Sequence, residues 1–313
     1  MLAYAVRKVL TIIPIVFGVA LIAFLIMHLA PGNPAQIMAG PDAAVEDIEV
    51  IERRLGLDQP LHVQFLSFMA NAARGDFGRS IRTNRPVTEE ILARLPYTVQ
   101  LAASALFVAI VVGIPLGVFA AVKQNTWFDS GTMVAALFGL SMPSFWRGLM
   151  AMLLFAYLLG WFPASGMSGT VLSPEWFRHM TLPAVSLGIG TAATIARLTR
   201  SSMLEVIRED YIRTARSKGI SERRITYKHA LRNALIPVVT VVGLSLGVLM
   251  GGSIITESVF AFPGVGTLAI NAISARDFPA VQGVVMTVAT IFVLVNLLVD
   301  LTYGWLDPRI RYD

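Results

Sequence analysis

The chain has 313 residues, of which 55% are hydrophobic and only 14% are charged, and its formal net charge is +5. Because a soluble globular domain carries about a quarter charged residues, this composition indicates a membrane protein. The chain has no cysteine, which excludes disulfides, thiolate metal sites and thiol nucleophiles.

The first predicted element is an N-terminal membrane helix. A short basic start is followed by about 22 apolar residues, whereas the apolar core of a secretory signal has only about 7–15. No small-residue cleavage pattern follows the apolar run. We therefore expect this segment to be retained as the first span.

Six apolar stretches have the length, about 20 residues, that a helix needs to cross the hydrocarbon of a bilayer. They are residues 9–30, 97–122, 131–159, 181–200, 235–258 and 281–305. The sequence therefore predicts an all-α, polytopic membrane protein with six transmembrane helices.

The cations set the predicted orientation, because Lys and Arg near the ends of spans favour the cytoplasm. With both termini in the cytoplasm, most of the cations lie on that side: Arg7, Lys8, Lys123, those between 197 and 232, Arg309 and Arg311. A membrane thus accounts for the basic balance, and we expect contact with membrane lipid and none with nucleic acid.

The long polar region 31–95 is predicted to be folded and to lie outside the cytoplasm. Apolar residues recur at helical spacing over 45–55, and Gly56 is well placed to end that helix. Two further short helices are predicted, one after Pro60 and one over 85–96. This region is a candidate docking surface for an external partner.

We divide the chain into residues 1–96, with the first span and the external helices, and a five-helix core over 97–313. The core contains a cytoplasmic loop, 197–236, that holds ten of the 25 Lys and Arg. Helical spacing there predicts one helix that ends at Gly219 and a second that enters the membrane at Pro237. The loop either rests on anionic lipid or docks into a protein groove, and its scarcity of large apolar residues favours the groove.

Several stretches together resemble the permease subunits of ABC transporters, in the branch that imports dipeptides, oligopeptides, glutathione and nickel. They include EDYIRTARSKG and HALRNALIP in the basic loop, and LAPGNPA, GDFGRS, GGSIITESVFAFPGVG and LDPRIRY elsewhere. The resemblance covers essentially the whole chain in one order. It implies a type I ABC importer permease fold in the bacterial cytoplasmic membrane, translocating di- and oligopeptides by alternating access, with nickel import as the alternative.

The same resemblance implies a set of partners. They are a homologous second permease subunit, two ABC ATPase subunits and a periplasmic or lipid-anchored peptide-binding protein. The sequence contains no G-x-x-x-x-G-K-[ST] pattern, so this chain cannot hold ATP in a P-loop. We therefore expect ATP and Mg to bind to the partner ATPases, and this chain to be a transporter subunit without a cofactor or enzymatic activity of its own.

In this family the cytoplasmic loop is the coupling helix, which is seated in a groove of the ATPase. The residues implied in that contact are Glu209, Asp210, Tyr211, Arg213, Thr214, Ala215, Lys218 and Gly219. Ala215 and Gly219 match the general Glu-Ala-Ala-x-x-x-Gly motif of the superfamily. Arg213 and Thr214 stand where that motif has Glu and Ala, as in the peptide and nickel branch.

The coupling segment is expected to move as one helix, 203–219, when the ATPases close. Glu209 precedes Arg213 by one turn, which is the favourable order for a helical ion pair.

Polar residues within the spans, together with a proline and a glycine, give a candidate translocation path: Ser141, Pro143, Arg147, Gly251 and Glu257. Arg147 is the strongest candidate of these, because inserting an arginine near the centre of a span into the membrane costs about 2.5–3.5 kcal/mol. It either lines the path and meets a carboxylate, such as a peptide C-terminus, or pairs with an acid such as Glu257, or extends its long stem toward the interface.

Proline and glycine mark two irregular points in the spans. Pro143 is expected to kink the third span, and the Pro-Gly chemistry of 259–266 predicts a re-entrant turn near the external mouth. We find no His, Asp and Glu cluster with metal-ligand spacing in the spans, and we expect no metal site.

A different class of function, a stand-alone channel or an intramembrane serine hydrolase, is the remaining alternative. Residues 243–247 form a literal G-x-S-x-G, but the nucleophile elbow needs a strand–turn–helix context and this stretch is predicted to be helical. The glycines at 243, 247, 251 and 252 are typical of a surface where helices approach closely.

Overall fold

The computed structural model describes residues 2–29, 34–39 and 43–306, and this part of the chain is helical apart from loops and one isolated antiparallel bridge, Arg79 to Pro86. The helices are α1 (Leu2–Leu29), α2 (Pro34–Ala39), α3 (Val45–Leu55), α4 (Leu61–Ala73), α5 (Val87–Val122), α6 (Trp127–Ser141), α7 (Ser144–Ala151), α8 (Pro174–Ile207), α9 (Asp210–Ser217), α10 (Glu222–Arg224), α11 (Leu231–Val259), α12 (Val265–Ser274) and α13 (Phe278–Leu306). Helical turns of π type, Met152–Leu158 and Ile225–Ala230, continue α7 and join α10 to α11.

Within the described residues, five helices are long and apolar enough to cross a membrane. They are Leu10–Leu29, Val87–Val122, Pro174–Ile207, Glu222–Val259 and Phe278–Val299. The α6 helix and the helix that begins with α7 meet at 105°, and this bent pair is the sixth span if it crosses the membrane once. The all-α architecture predicted from the sequence is confirmed, and the described residues contain five spans, or six with the bent pair.

The sequence predicts a separate short helix over 85–96. In the structure this segment instead forms the first turns of α5. Pro86 stands at the N-cap and the acidic Glu89 and Glu90 occupy the first turn, where the helix dipole favours negative charge. Pro96 lies inside the helix instead of ending it. The predicted division of the chain at 96/97 therefore falls within a continuous helix.

The α5 and α8 helices form the most extensive contact between elements in the described part of the chain, and glycines let them approach. A methyl group added at Gly117 on α5 would lie 2.5 Å from the carbonyl oxygen of Ala196. One added at Gly188 on α8 would lie 2.5 Å from the carbonyl oxygen of Ala105. Backbone meets backbone at both points, which is how small residues stabilise helix pairs in lipid.

We expect Gly117→Ala to destabilise the protein by about 1–3 kcal/mol, because the new methyl group can be accommodated only if α5 and α8 separate. Thermal unfolding of the purified protein in detergent measures the effect. Gly18→Ala in α1 is the matched control, since no atom lies within 4 Å of its added methyl group. Equal midpoints for the two variants would contradict this account of the α5–α8 contact.

The predicted single helix over 203–219 is wrong, because the chain breaks between α8 and α9. The α8 helix ends at Ile207, and Glu209, the N-cap of α9, takes an extended conformation with φ −64° and ψ 148°. Arg213 then pairs with Asp210, at 3.2 Å, instead of with Glu209. After α9 and the π-type turn, the chain continues into α11, which contains Pro237 in its interior.

Candidate functional site

The α9 helix is amphipathic, and its inner face anchors it to the ends of three membrane helices. Ile212 and Ala215 are buried in a hydrophobic cluster with Val118 of α5, Met203 of α8 and Ala234 of α11. The α9 helix is therefore in close-packed contact with the ends of these three helices.

The outer face of α9 and its flanks are exposed on the chain. Seven of the eight predicted coupling residues lie there: Glu209, Asp210, Tyr211, Arg213, Thr214, Lys218 and Gly219. Ala215 is only 8% exposed, because it faces inward, and its methyl group supports the helix from behind. The structure thus brings the predicted residues together on α9 and its two flanks but separates Ala215 from the exposed surface.

The elbow at Gly219 is held by contacts on both sides. Gly219 has φ +74°, a left-handed conformation that glycine adopts without steric cost. Across the elbow, the Arg216 guanidinium donates to both carboxylate oxygens of Glu222, at 2.8 and 3.3 Å. The Tyr211 hydroxyl accepts a hydrogen bond of 2.7 Å from Asn233, which ties α9 to the helix that follows.

The structure contains an ion pair between Asp129 and Arg200 that was not predicted from the sequence. The guanidinium donates to both oxygens of Asp129, with Nη2 to Oδ2 at 2.7 Å, and the Asn125 backbone N–H donates to the same carboxylate at 3.0 Å. Asp129 is 4% exposed. The pair fastens the start of α6 to the C-terminal part of α8. The sequence signal for it is weak, because Asp129 is a lone acid in α6 and Arg200 is one of two arginines in the second half of α8.

Arg147 lies at the break between α6 and α7, where it satisfies a carbonyl group that Pro143 leaves without a donor. In an uninterrupted helix the Gly139 carbonyl would accept from the N–H of residue 143, but proline has none. The Nη1 of Arg147 donates to that carbonyl oxygen instead. The kink predicted at Pro143 is present, and Arg147 is part of it.

The break leaves Ser141 and Pro143 exposed and Arg147 half-buried. Arg147 does not pair with Glu257, which has other partners. Of the candidate path residues, these three lie together at the bend.

Glu257 is fully buried and closes a turn instead of lining an open path. Its carboxylate accepts hydrogen bonds from the hydroxyls of Thr98 and Ser253, at 2.8 and 3.0 Å, and from the backbone N–H groups of Gly266 and Thr267, at 2.7 and 3.2 Å. All four partners donate, which suits an acceptor-only carboxylate at the N-terminus of α12.

The turn predicted over 259–266 is present between α11 and α12. Phe260 and Phe262 are buried within it, and an added methyl group at Gly264 would lie 2.2 Å from the Glu257 carboxylate. The turn is therefore a tightly packed element.

Gly251 is exposed, and it belongs to a glycine row with two different environments. Gly243 and Gly247 lie against Val299 and Phe292 of α13, so they serve packing within the chain. Gly251 and Gly252 have no atom within 4 Å of an added methyl group. The outer half of the row is thus open on this chain.

A second buried carboxylate that the sequence did not reveal is Asp277, which precedes α13. It accepts from the Ser80 hydroxyl at 2.5 Å, from the Ile81 backbone N–H at 3.1 Å and from the Ala280 backbone N–H at 3.3 Å. It therefore caps α13 and fastens the loop before α5 to it.

Comparison with protein families decides between the classes of function. The family described as "Binding-protein-dependent transport system inner membrane component" matches residues 113–312, and the family of its N-terminal region matches residues 1–102. The chain belongs to this family.

Curated relatives of this permease match it from end to end. A dipeptide transport system permease protein of Alkalihalophilus pseudofirmus is 47% identical over 100% of both chains. A putative peptide transport system permease protein of Brucella abortus is 46% identical, and a glutathione transport system permease protein of Escherichia coli is 43% identical, each over 100% of both chains. The expected family, a permease subunit of ABC importers, is confirmed.

Two solved structures confirm the fold. Crystal forms of the inward-facing MetNI methionine ABC transporter contain a chain that is 19% identical to the permease, with a TM-score of 0.57 over 70% of this chain and 96% of that one. A second form gives 18% identity and a TM-score of 0.54, over 69% and 96% of the two chains. The permease therefore has the ABC importer permease fold. Its family and its long apolar helices make it an integral membrane protein.

The hydrolase alternative fails on local geometry as well as on family. Residues 243–247 lie in the interior of α11, and the Ser245 hydroxyl donates to the Val241 carbonyl of its own helix at 2.6 Å. A nucleophile elbow needs a strained turn between a strand and a helix.

Proposed function

We propose that this permease is one half of the membrane channel through which an ATP-driven importer moves di- and oligopeptides into the cell. The observation that carries the proposal is the exposed outer face of α9, mounted on a hydrophobic cluster at the ends of α5, α8 and α11. Such a surface suits contact with a separate motor. The names of the relatives, which specify peptides, dipeptides and glutathione, support a peptide as the substrate.

In the proposed mechanism the ATPase subunits push or release α9, and the three attached helices reorient together. The elbow at Gly219 and the Arg216–Glu222 pair make α9 and the start of the next helix one unit. The break after Ile207 separates this unit from the long axis of α8, so it can tilt without bending that helix. Access to the central path then alternates between the two sides.

The proposed assembly contains a homologous second permease, two ABC ATPases and an external peptide-binding protein. ATP and Mg bind to the ATPases, and this chain holds no cofactor. Both termini lie in the cytoplasm, which places the basic loop 197–236 on the motor side and the helices of 31–95 on the side of the binding protein.

Nickel import is the weaker alternative. Among the described residues there is no group of three or more His, Cys, Asp or Glu side chains that could hold a metal ion. The relatives at 43–47% identity carry names of peptide and glutathione systems.

Proteoliposomes that contain the complete importer test the proposal. We expect a radiolabelled dipeptide to cross the membrane only when ATP is on the side of the ATPases and the binding protein is on the opposite side. The dipeptide should then accumulate on the ATPase side. Radioactive nickel under the same conditions is the comparison. Accumulation of nickel in preference to dipeptide, or dipeptide movement that does not require ATP, would contradict it.

A further inference from the structure

The guanidinium of Arg147 lies level with the middle of a candidate spanning helix, which corresponds to mid-depth in a bilayer. It packs against Gly190, which is midway along the spanning helix α8, Pro174–Ile207. A methyl group added at Gly190 would lie 3.1 Å from Nη1 and 3.2 Å from Nη2 of Arg147. The side chain therefore does not extend to either interface, which excludes the snorkelling interpretation.

The positive charge at this depth has no counter-charge within the described part of the chain. The carbonyl of Gly139 occupies one N–H of Arg147, and the Nε atom is buried without a hydrogen-bond partner. No ion pair to Arg147 is present among the described residues, and Glu257 is fully occupied by its own four donors. The hydrogen bond to the Gly139 carbonyl uses one of the five N–H groups of Arg147 and leaves its positive charge without a counter-charge.

A cation at this depth must face an anion or water, because exposure to hydrocarbon is costly. At the bend, Ser141 and Pro143 are exposed on this chain within two turns of Arg147. A guanidinium with free N–H groups binds carboxylates in a paired geometry that adds both strength and orientation.

We propose that Arg147 is a binding site for the carboxylate of the peptide in transit. The inference rests on the proposed function, since a peptide supplies a free C-terminal carboxylate whatever its side chains are. Such a site would hold the charged end of each substrate at mid-depth, where it is otherwise most costly to place. A carboxylate of the second permease subunit is the competing occupant, and the experiment separates the two.

Cysteine reactivity at the bend tests the site without transport. The chain has no cysteine, so Ser141→Cys introduces a single thiol on this subunit. The complete importer in lipid nanodiscs, without ATP, is treated with an anionic or a neutral hydrophilic methanethiosulfonate, and the intact mass of this subunit reports the two rates. Thr191→Cys, one residue beyond Gly190, is a second position in case the thiol at 141 points away.

We expect the ratio of anionic to neutral labelling to fall on the order of fivefold or more when Arg147→Met is added, because the field that attracts the anionic reagent is lost. Arg147→Lys should retain the ratio. Alanylalanine at tens of millimolar should slow anionic labelling when Arg147 is present. The dipeptide amide alanylalaninamide, which has no carboxylate, should not slow it.

Three results would overturn the site. An unchanged ratio in Arg147→Met means that a carboxylate of another subunit already neutralises the charge. No labelling at either position means that the bend faces lipid, and equal slowing by the acid and the amide means that the carboxylate is not what binds. Failure of dipeptide uptake in proteoliposomes would instead overturn the proposed function, so the two failures are distinguishable.

Discussion

Glu257→Gln should destabilise the permease by about 1–3 kcal/mol and reduce peptide uptake, because an amide offers one acceptor oxygen where the carboxylate offers two. An NH2 group at the Oε2 position would face two backbone N–H groups that also donate, and at the Oε1 position it would force the Thr98 and Ser253 hydroxyls to change from donors to acceptors. The turn between α11 and α12 would lose its closure, and α12 would lose the cap on its N-terminus. Thermal unfolding and the amount of inserted protein measure the first effect, and dipeptide uptake measures the second.

The control for this prediction is Glu205→Gln, which changes an exposed carboxylate on α8 and should alter stability by no more than about 0.5 kcal/mol. Gly264→Ala probes the same turn from the other side, since its new methyl group would lie 2.2 Å from the Glu257 carboxylate. If Glu257→Gln unfolds at the temperature of the unmodified protein, the hydrogen bonds described for Glu257 do not hold the turn.

The second large effect is expected for Gly219→Val, which should uncouple ATP hydrolysis from uptake. A β-branched residue in the left-handed conformation of Gly219 costs roughly 1–3 kcal/mol, so the elbow should shift and carry α9 with it. We expect hydrolysis by the assembled complex to persist while the number of dipeptides moved per ATP falls at least about tenfold. Parallel assays of phosphate release and uptake in proteoliposomes measure this ratio.

Gly160→Val is a matched control, because Gly160 also has a left-handed φ, +62°, and open space around it, but it lies in the loop before α8, far along the chain from α9. It should bear a similar backbone cost and leave the ratio of uptake to hydrolysis unchanged. Normal coupling in Gly219→Val, with the complex intact, would show that the elbow does not transmit the motion.

The features that the sequence predicts well are those set by local chemistry. Apolar runs predict the spans, because a helix in hydrocarbon needs a long apolar stretch whatever its neighbours are. Gly219 predicts the elbow, because a left-handed residue favours glycine, and Pro143 predicts the kink for the equally local reason that it lacks an N–H.

Local chemistry misleads where the same residue has two outcomes. Pro96 suggests a helix end but lies inside α5, because a span tolerates a proline when its surroundings satisfy the freed carbonyl. The break after Ile207 was missed for the converse reason: periodic apolar residues continue through it, and only the extended backbone of Glu209 reveals it.

The polar contacts of the site depend on residues far apart in the chain and could not be predicted from spacing. Asp129 of α6 forms an ion pair with Arg200 of α8. Glu257 of α11 accepts a hydrogen bond from Thr98 of α5. The partner of Arg147 is a backbone carbonyl, which any residue at position 139 would supply, so no side-chain pattern indicates it.

The central claim, that the exposed face of α9 receives a separate motor, is tested most directly by purifying the tagged chain from native membranes in mild detergent and identifying what accompanies it by mass spectrometry. We predict recovery with a second permease and P-loop ATPases, and loss of the ATPases alone when Thr214 on the exposed face of α9 is replaced by Trp. Recovery of the folded chain without ATPases would contradict the account and leave α9 as a helix that rests on lipid.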